Sequence, residues 1–163
     1  MSNTQNLDDT TKGQLTESIK KIVGYMNMEC QVEIREEIDD RGSRAVSISI
    51  YTPENARFII GKNGQNLKSL EHVLRAIFVK KLEGFNSVVV DVNDYRRSRT
   101  NYLIDTARQA VTRVRSTQKA EALTPMSPYE RRVVHMELAS YPDVATESIG
   151  TEPQRRIVIK PYP

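Results

Sequence analysis

The feature that most constrains this chain is a Gly-x-x-Gly loop that separates two helix-forming segments, Gly61-Lys62-Asn63-Gly64. Apolar residues flank the loop, as a pair before it and at helical spacing after it: Ile59, Ile60, Leu67 and Leu70. Glycine adopts turn conformations that other residues resist, and it lets a ligand backbone come close. The amides at the start of the next helix carry positive dipole character, which suits an anion. Lys62 and Asn63 add donors for phosphate oxygens, so the loop predicts a phosphate-binding turn.

Length and composition limit the alternatives. The 163 residues fit one large domain or two small ones, and 38% hydrophobic with 28% charged residues is ordinary for a globular protein. No apolar run approaches the length of a membrane span, and the N-terminus lacks the pattern of a secretion signal. A single cysteine, Cys30, and two histidines supply neither an internal disulfide nor a structural zinc site. We therefore expect a cytoplasmic protein that needs no metal and no cofactor.

The net charge is only +3, but the charges are unevenly distributed. Residues 1–94 hold 12 Lys and Arg against 14 Asp and Glu, a net −2. Residues 95–163 hold 12 against 7, a net +5. A positive second half favours a polyanionic partner. A solvated basic helix face would give the same pattern, and both interpretations stay open at this point.

Hydrophobic periodicity predicts the elements of a first unit, residues 14–93. Residues 1–13 are polar and aperiodic, which predicts a disordered lead-in. The pattern then predicts a helix over 16–27, a strand over 32–38, a turn over 39–42 and a strand over 46–50. Next come a short helix with Thr52 as its N-cap, a longer helix that stops at Gly84, and a strand over 88–92. The longer helix has an expected buried stripe of Leu67, Leu70, Leu74, Ile77 and Phe78.

A second unit, residues 94–163, begins with a linking helix over 95–117 that carries six arginines. Three of them near its start are candidate phosphate contacts: Arg96, Arg97 and Arg99. A short strand over 120–123 follows, and Ser127 with Glu130 then forms a capping box that starts a helix expected to end near Tyr141. Two strands, over 144–149 and 155–160, close the chain. The predicted fold class is therefore α+β, with two small domains that are each a three-stranded sheet packed by helices.

Two residues of the capped helix, Arg131 and His135, lie four positions apart and therefore on one face. By helical position they flank the apolar stripe of Val134 and Leu138, which predicts that their polar ends are free at its edge. Arginine offers a planar fork for phosphate, and histidine can donate a hydrogen bond or stack on a base. Arg132 adds a neighbouring cation. The pair could instead satisfy local carbonyls or carboxylates at the surface.

The two motifs together resemble a known family. The loop and the order of elements around it resemble a type II KH (K-homology) domain, whose Gly-x-x-Gly loop clamps about four single-stranded nucleotides. Residues 126–135, Met-Ser-Pro-Tyr-Glu-Arg-Arg-Val-Val-His, resemble the signature of the R-three-H domain, which binds single-stranded nucleic acids. In this order they resemble the bacterial Jag family of SpoIIIJ-associated RNA-binding proteins over residues 15–161. Family members often carry a further N-terminal Jag domain, whereas a short polar segment precedes the KH-like unit here.

The resemblance assigns functions to particular residues. It implies that Gly61, Lys62, Asn63 and Gly64 clamp an RNA backbone, and that Arg131 and His135 form the pair of the second domain. The implied partner is single-stranded RNA, or single-stranded DNA, together with a smaller KH-domain protein. The implied role is post-transcriptional regulation or RNA chaperoning that affects bacterial cell shape, elongation and division.

An enzyme is the competing class of protein. The acidic residues cluster over 36–40, far in sequence from both motifs, and no nucleophile elbow, Walker loop or dinucleotide fingerprint is present. We therefore expect a protein that is not an enzyme. A protein-interaction adaptor that uses a KH scaffold remains as the alternative, and the dependence of RNA binding on the loop residues would distinguish the two.

Overall fold

The computed structural model describes residues 7–38 and 42–162. The chain divides into two compact units, Met1–Tyr95 and Arg96–Pro163. Each unit has its own hydrophobic core and one three-stranded sheet against which helices pack. The predicted fold class, α+β with two three-stranded sheets, is confirmed.

The first unit has the element order that the resemblance to a type II KH domain predicts. Its elements are α1 (Asp9–Gly24), β1 (Gln31–Ile38), β2 (Arg44–Tyr51), α2 (Ala56–Ile60), α3 (Gln65–Ile77) and β3 (Ser87–Val92). The sheet order is β1-β2-β3, with β2 antiparallel to β1 and parallel to β3. The parallel pair needs a crossover, and the segment that holds α2, the Gly-x-x-Gly loop and α3 provides it.

Alternation along the strands explains why this sheet buries one face. Ile48 and Ile50 of β2 are fully buried, whereas Ser47 and Ser49 beside them are only half-buried. A strand with this pattern places every second side chain in the core. The helix α1 contributes Leu15 and Ile19 to the same core at helical spacing, and both are fully buried.

Two predictions about helix starts in this unit are wrong. The lead-in predicted over 1–13 is helical from Asp9, because the side chain of Asp8 caps the helix by accepting from the amide of Thr11 at 3.2 Å. Residues 1–6 lie outside the described part of the chain. Thr52 does not cap α2, whose N-cap is Asn55. Instead the side chain of Asn93 accepts from the Thr52 amide at 3.0 Å and donates to the Thr52 carbonyl at 2.8 Å.

Two further expectations concern α3 and the strand connection. Ile77 was expected in the buried stripe of α3 together with Phe78, but Ile77 is 59% exposed, whereas Phe78, just after the helix, is buried as expected. The helix was expected to stop at Gly84, but it ends at Ile77 and turns follow it up to Gly84. The buried Phe78 and Leu82 keep the spacing of four residues from Leu74, and this leaves Ile77 outside the buried row. The predicted turn falls mainly on residues 39–41, which are outside the described residues.

The second unit follows the predicted order closely. Its elements are α4 (Tyr95–Thr117), β4 (Glu121–Ala122), α5 (Pro128–Leu138), β5 (Val144–Ile149) and β6 (Arg156–Pro161). The sheet is antiparallel in the order β4-β6-β5, so β5 is an edge strand. Ala107, Ala110 and Val114 of α4 are fully buried, and Val134 of α5 joins the same core.

A buried carboxylate connects the two helices of this unit. Glu130 accepts from the Ser127 amide at 2.7 Å, which completes the predicted capping box of α5. Its other oxygen accepts from Nε of Arg99 in α4 at 2.7 Å. Only 15% of the Arg99 side chain and 11% of the Glu130 side chain are exposed, so the ion pair is shielded from water. One Arg99 nitrogen, Nη2, is buried without a hydrogen-bond partner among the described residues.

We predict that Arg99→Ala destabilises the second unit by about 3 kcal/mol, because it leaves a buried carboxylate without its charge partner. The matched control is Arg113→Ala, which breaks an exposed pair with Glu121 and should cost less than about 1 kcal/mol. Native-state amide hydrogen exchange of α5 measures both values within the second unit. Equal losses in the two variants would contradict a special role for the Arg99–Glu130 pair.

Candidate nucleic-acid interface

The Gly-x-x-Gly loop has a backbone shape that its glycines make possible. After α2 ends, Gly61 has φ +70°, and a short 3-10 turn over Lys62–Gly64 leads into α3 with Gly64 at φ +78°. A Cβ on Gly61 would lie 2.5 Å from Cγ and 2.8 Å from the backbone nitrogen of Asn66. A Cβ on Gly64 would lie 3.1 Å from the ring of Tyr95. Gly61 therefore requires glycine for space as well as for φ, whereas Gly64 requires it for φ and leaves a Cβ only a tight fit against Tyr95.

The two variable residues of the loop point away from the core. Lys62 and Asn63 are exposed, and Asn63 has φ +53°, a left-handed conformation that asparagine tolerates better than most residues. The N-cap of α3 is Gly64, which has no side chain to accept from the first-turn amides. The side chain of Asn66 in that turn donates instead to the Phe58 carbonyl at 2.9 Å, which holds α2 and α3 together around the loop. The loop thus presents a cation, an amide and an uncapped helix start at one place, and such an arrangement can bind a phosphate.

An exposed aromatic residue beside the loop was missed by sequence reasoning. Phe58 is 53% exposed, and the guanidinium of Arg57 lies 4.9 Å from its ring centroid. An exposed ring next to a cation can stack on a nucleobase. The sequence did contain a sign of this exposure. Phe58 lies outside the apolar stripe that includes Ile59, so no position in the core was predicted for its ring.

The structure places Arg131 differently from the expectation of a free polar end. The residue is only 9% exposed. Its Nη1 donates to the Met126 carbonyl at 2.8 Å, and its Nη2 forms an ion pair with Glu152 at 2.8 Å. The expectation of a free end is therefore wrong for Arg131, because its guanidinium turns back to the segment before α5. That Arg131 binds nucleic acid stays a prediction, and its contacts favour a structural role.

His135 and Arg132 remain accessible on α5. Both residues are exposed, and Nδ1 of His135 lies 2.6 Å from the hydroxyl of Thr146 in β5. Tyr129 and Met136 are also exposed, three positions before and four positions after Arg132, so they share its side of the helix. Sequence reasoning had not singled out these two residues. The exposed side of α5 thus combines a cation, an imidazole and an aromatic ring.

The arginines of α4 are largely engaged in ion pairs. Arg108 contacts Glu137 at 2.8 Å, Arg113 contacts Glu121 at 2.7 Å and Arg115 contacts Asp143 at 2.5 Å, in addition to the Arg99–Glu130 pair. The hydrogen bonds from Arg113 and Arg115 lower the pKa of the Glu121 and Asp143 carboxyls. For Arg99 this geometry favours the structural alternative over a phosphate contact. Arg96 and Arg97 are exposed, and their binding role stays a prediction.

Neither a metal cluster nor a membrane helix accompanies these sites. Within residues 7–38 and 42–162, no group of three or more His, Cys, Asp or Glu side chains is placed to hold a metal ion. Over the same ranges, every helix is too short or too polar to cross a bilayer.

Comparison with known proteins identifies the second unit. Residues 101–161 match the model of the R-three-H domain, which is the domain that the sequence predicts. The match covers most of α4, the capped helix and all three strands of the second sheet. The R-three-H domain is therefore confirmed over residues 101–161.

Relatives extend the likeness to most of the chain. A protein of Clostridium symbiosum named "RNA-binding protein KhpB" is 31% identical in an alignment 140 residues long. The match covers 78% of this chain and 63% of that protein. A protein of the same name from Bacillus subtilis (strain 168) is 33% identical over 110 residues, and the match covers 66% of this chain. Another, from Lactiplantibacillus plantarum, is 27% identical over 155 residues, and the match covers 95% of this chain. The chain spans 53% and 46% of these two relatives. The chain belongs to the family of these relatives, the Jag (KhpB) family, and its second unit is an R-three-H domain.

Proposed function

We propose that this protein binds single-stranded RNA through two surfaces, the Gly-x-x-Gly loop of the first unit and the exposed side of α5 in the second. The observation that carries the proposal is the exposed Lys62-Asn63 pair at the uncapped start of α3. A phosphate there would meet a cation, an amide and helix-start dipoles together. The name of the relatives, RNA-binding protein, supports RNA as the ligand.

Two surfaces on one chain offer more than either surface alone. A strand already held at the loop reaches the second surface at a high effective concentration, so two weak contacts yield a useful overall affinity. Such a protein suits a role as a post-transcriptional regulator or RNA chaperone in the cytoplasm. Partnership with a smaller KH protein and effects on cell elongation and division belong to the same proposal. They rest on family resemblance, because the chain spans only 46% to 63% of the length of the relatives named above.

A binding role is favoured over catalysis by the state of the carboxylates in the second unit. Glu121, Glu130, Glu137 and Asp143 each pair with an arginine, and Glu152 pairs with Arg131. A carboxylate that acts as a general base or metal ligand must instead face the substrate. The adaptor alternative draws on exposed apolar residues of α3, of which Ile77 is the largest. The following tests separate it from RNA binding.

Replacing Lys62 and Asn63 together with Asp should reduce affinity for single-stranded RNA at least tenfold. Two donors are lost and two negative charges are added, and each hydrogen bond to a charged group is worth about 1.5–3 kcal/mol. Fluorescence anisotropy with the full chain measures the affinity, and circular dichroism checks the fold. The matched control, Lys80→Asp with Asn86→Asp, makes the same change on exposed residues away from the loop. If both double variants bind alike, the loop is not the clamp and the adaptor alternative is favoured.

For the second surface, Arg132→Ala with His135→Ala should lower the affinity of the full chain by about tenfold, which corresponds to one charge-assisted hydrogen bond. The melting temperature should stay unchanged, since both side chains are exposed. Arg131→Ala should lower the melting temperature, because it leaves Glu152 and the Met126 carbonyl without their partner. An Arg131→Ala variant with unchanged stability and strongly weakened binding would show that the exposed side of α5 has been assigned to the wrong arginine.

A further inference from the structure

We infer that Arg155, in the connection between β5 and β6, is a phosphate-binding residue. With His135 it would form a track for a single-stranded RNA backbone along the edge strand β5. This inference rests on the proposed function and extends it, since it names the residues that the strand follows beyond α5. Three observations lead to it: the ion pairs of the second unit, the hydrogen bonds along β5, and the difference between Arg155 and its neighbour Arg156.

The ion pairs show where the positive charge of the second unit is available. Of its seven Asp and Glu, six pair with an arginine or lysine of the same unit. Four of these pairs involve arginines of α4, which carries six in all. The linking helix therefore offers a phosphate fewer unpaired cations than its composition suggests. Within the described residues, the cations of this unit without a carboxylate partner are Arg97, Lys119, Arg132, Arg155 and Arg156. Two of the five are adjacent at the start of β6.

Hydrogen bonds place Arg155 in line with His135. Thr146 and Ser148 are two positions apart in β5, so their side chains point to the same face of the sheet. His135 contacts the Thr146 hydroxyl at 2.6 Å, and Nε of Arg155 donates to the Ser148 hydroxyl at 2.9 Å. Two residues of a strand span about 7 Å, a separation comparable to that of neighbouring phosphates in an extended strand. An imidazole and a guanidinium therefore stand side by side at the rim of the sheet.

The guanidinium of Arg155 keeps donors for a ligand. The bond to Ser148 uses Nε, so the two terminal nitrogens can contact a phosphate while the hydroxyl holds the group in place. The residue is exposed. Its backbone carbonyl accepts from the Met126 amide at 3.2 Å, which fixes the position from which the side chain extends. The site is thus oriented before a ligand arrives.

Negative groups near the track are neutralised or face elsewhere. Glu152, in the same connection, forms an ion pair with Arg131 at 2.8 Å. The buried arginine thus neutralises a carboxylate that would otherwise repel a phosphate. Glu147 lies between Thr146 and Ser148 in sequence, so its side chain points to the opposite face of the sheet, where it pairs with Lys160. No uncompensated carboxylate among these residues therefore repels a phosphate on the side of His135 and Arg155.

Arg156 provides a natural control for Arg155. It pairs with Ile149 in the sheet register, one position beyond Ser148, and so belongs to the opposite face. Its Nε donates to the Gln154 carbonyl at 3.2 Å. The two arginines have the same charge and adjacent positions in the chain, but they face different sides of the sheet. A general electrostatic attraction would depend on both, whereas the track along β5 depends on Arg155.

The test compares Arg155→Gln with Arg156→Gln in the full chain, using an oligouridylate of about 12 nucleotides as the probe. Affinity is measured by fluorescence anisotropy over a series of salt concentrations. Arg155→Gln should weaken binding by roughly three- to tenfold and flatten the slope of log affinity against log salt by about 0.7, the value for one phosphate contact on a single strand. Arg156→Gln should change neither quantity beyond error. Thermal melting of both variants checks the fold.

The possible results separate this inference from the proposed function. Equal effects of the two substitutions, or no effect of Arg155→Gln on a wild-type protein that binds the probe, would overturn the track. Absence of binding by the wild-type chain would overturn the proposed function itself. Ser148→Ala adds an independent test, because it removes the hydroxyl that orients the guanidinium but leaves the charge. Ser148→Ala should weaken binding less than Arg155→Gln does, and it should leave the salt slope at the wild-type value. If Ser148→Ala flattened the slope as much as Arg155→Gln does, the assignment would be contradicted.

Discussion

In the second unit, the carboxylate of Glu130 meets two requirements at once. One oxygen satisfies the amide of Ser127 at the start of α5, and the other holds the guanidinium of Arg99 in α4. Burying a charge is costly unless the charge is both paired and hydrogen-bonded. The Glu130 carboxylate meets both conditions, because Arg99 pairs with it and the Ser127 amide donates to it. Because α5 carries His135 and Arg132, the position of the candidate binding residues depends on this buried junction.

The two candidate surfaces use helix starts in opposite ways. At α3 the N-cap is a glycine, so the first-turn amides meet no capping side chain and are suited to an anion. At α5 the capping box occupies that position with Ser127 and Glu130, whose carboxylate would also repel a phosphate. Binding at α5 must therefore rely on side chains further along the helix and on the adjoining strand. In the proposed function, one chain would therefore combine recognition through backbone amides with recognition through side chains.

Much of the fold follows from local patterns. The alternation in β1 and β2 and the capping box of α5 depend on residues close in sequence, and these elements occur where they are predicted. The stripe of α1 is also a local pattern, but this helix begins at Asp9, earlier than predicted. The Gly-x-x-Gly loop likewise lies between α2 and α3 as predicted, although the comparisons do not test its binding role. The R-three-H domain could be identified because Ser127 to His135 form one continuous signature.

The errors at Thr52 and Arg131 share a physical cause, which is a partner distant in sequence. Thr52 looked like an N-cap, but Asn93, 41 residues later, holds its backbone. Arg131 looked free on a helical wheel, but Glu152 comes from a connection that the wheel cannot show. For Arg99, the pairing with a carboxylate 31 residues away decides how much of its charge is available. Local patterns predict which side chains share a face, and only tertiary structure shows what meets that face.

The backbone conformation of the Gly-x-x-Gly loop has a consequence for binding kinetics. Three of its four residues, Gly61, Asn63 and Gly64, have positive φ. The amide of Gly61 donates to the Arg57 carbonyl at 2.8 Å, and the amide of Gly64 donates to the Gly61 carbonyl at 3.3 Å, so hydrogen bonds hold the backbone of both glycines. The loop has therefore lost its conformational freedom during folding, and little remains to be lost when a ligand arrives. If the loop binds RNA as proposed, most of the ordering on binding would fall on the flexible RNA strand. Sequence context that stiffens or stacks the RNA should then change the association rate, whereas changes in the loop contacts should mainly alter how long the complex lasts.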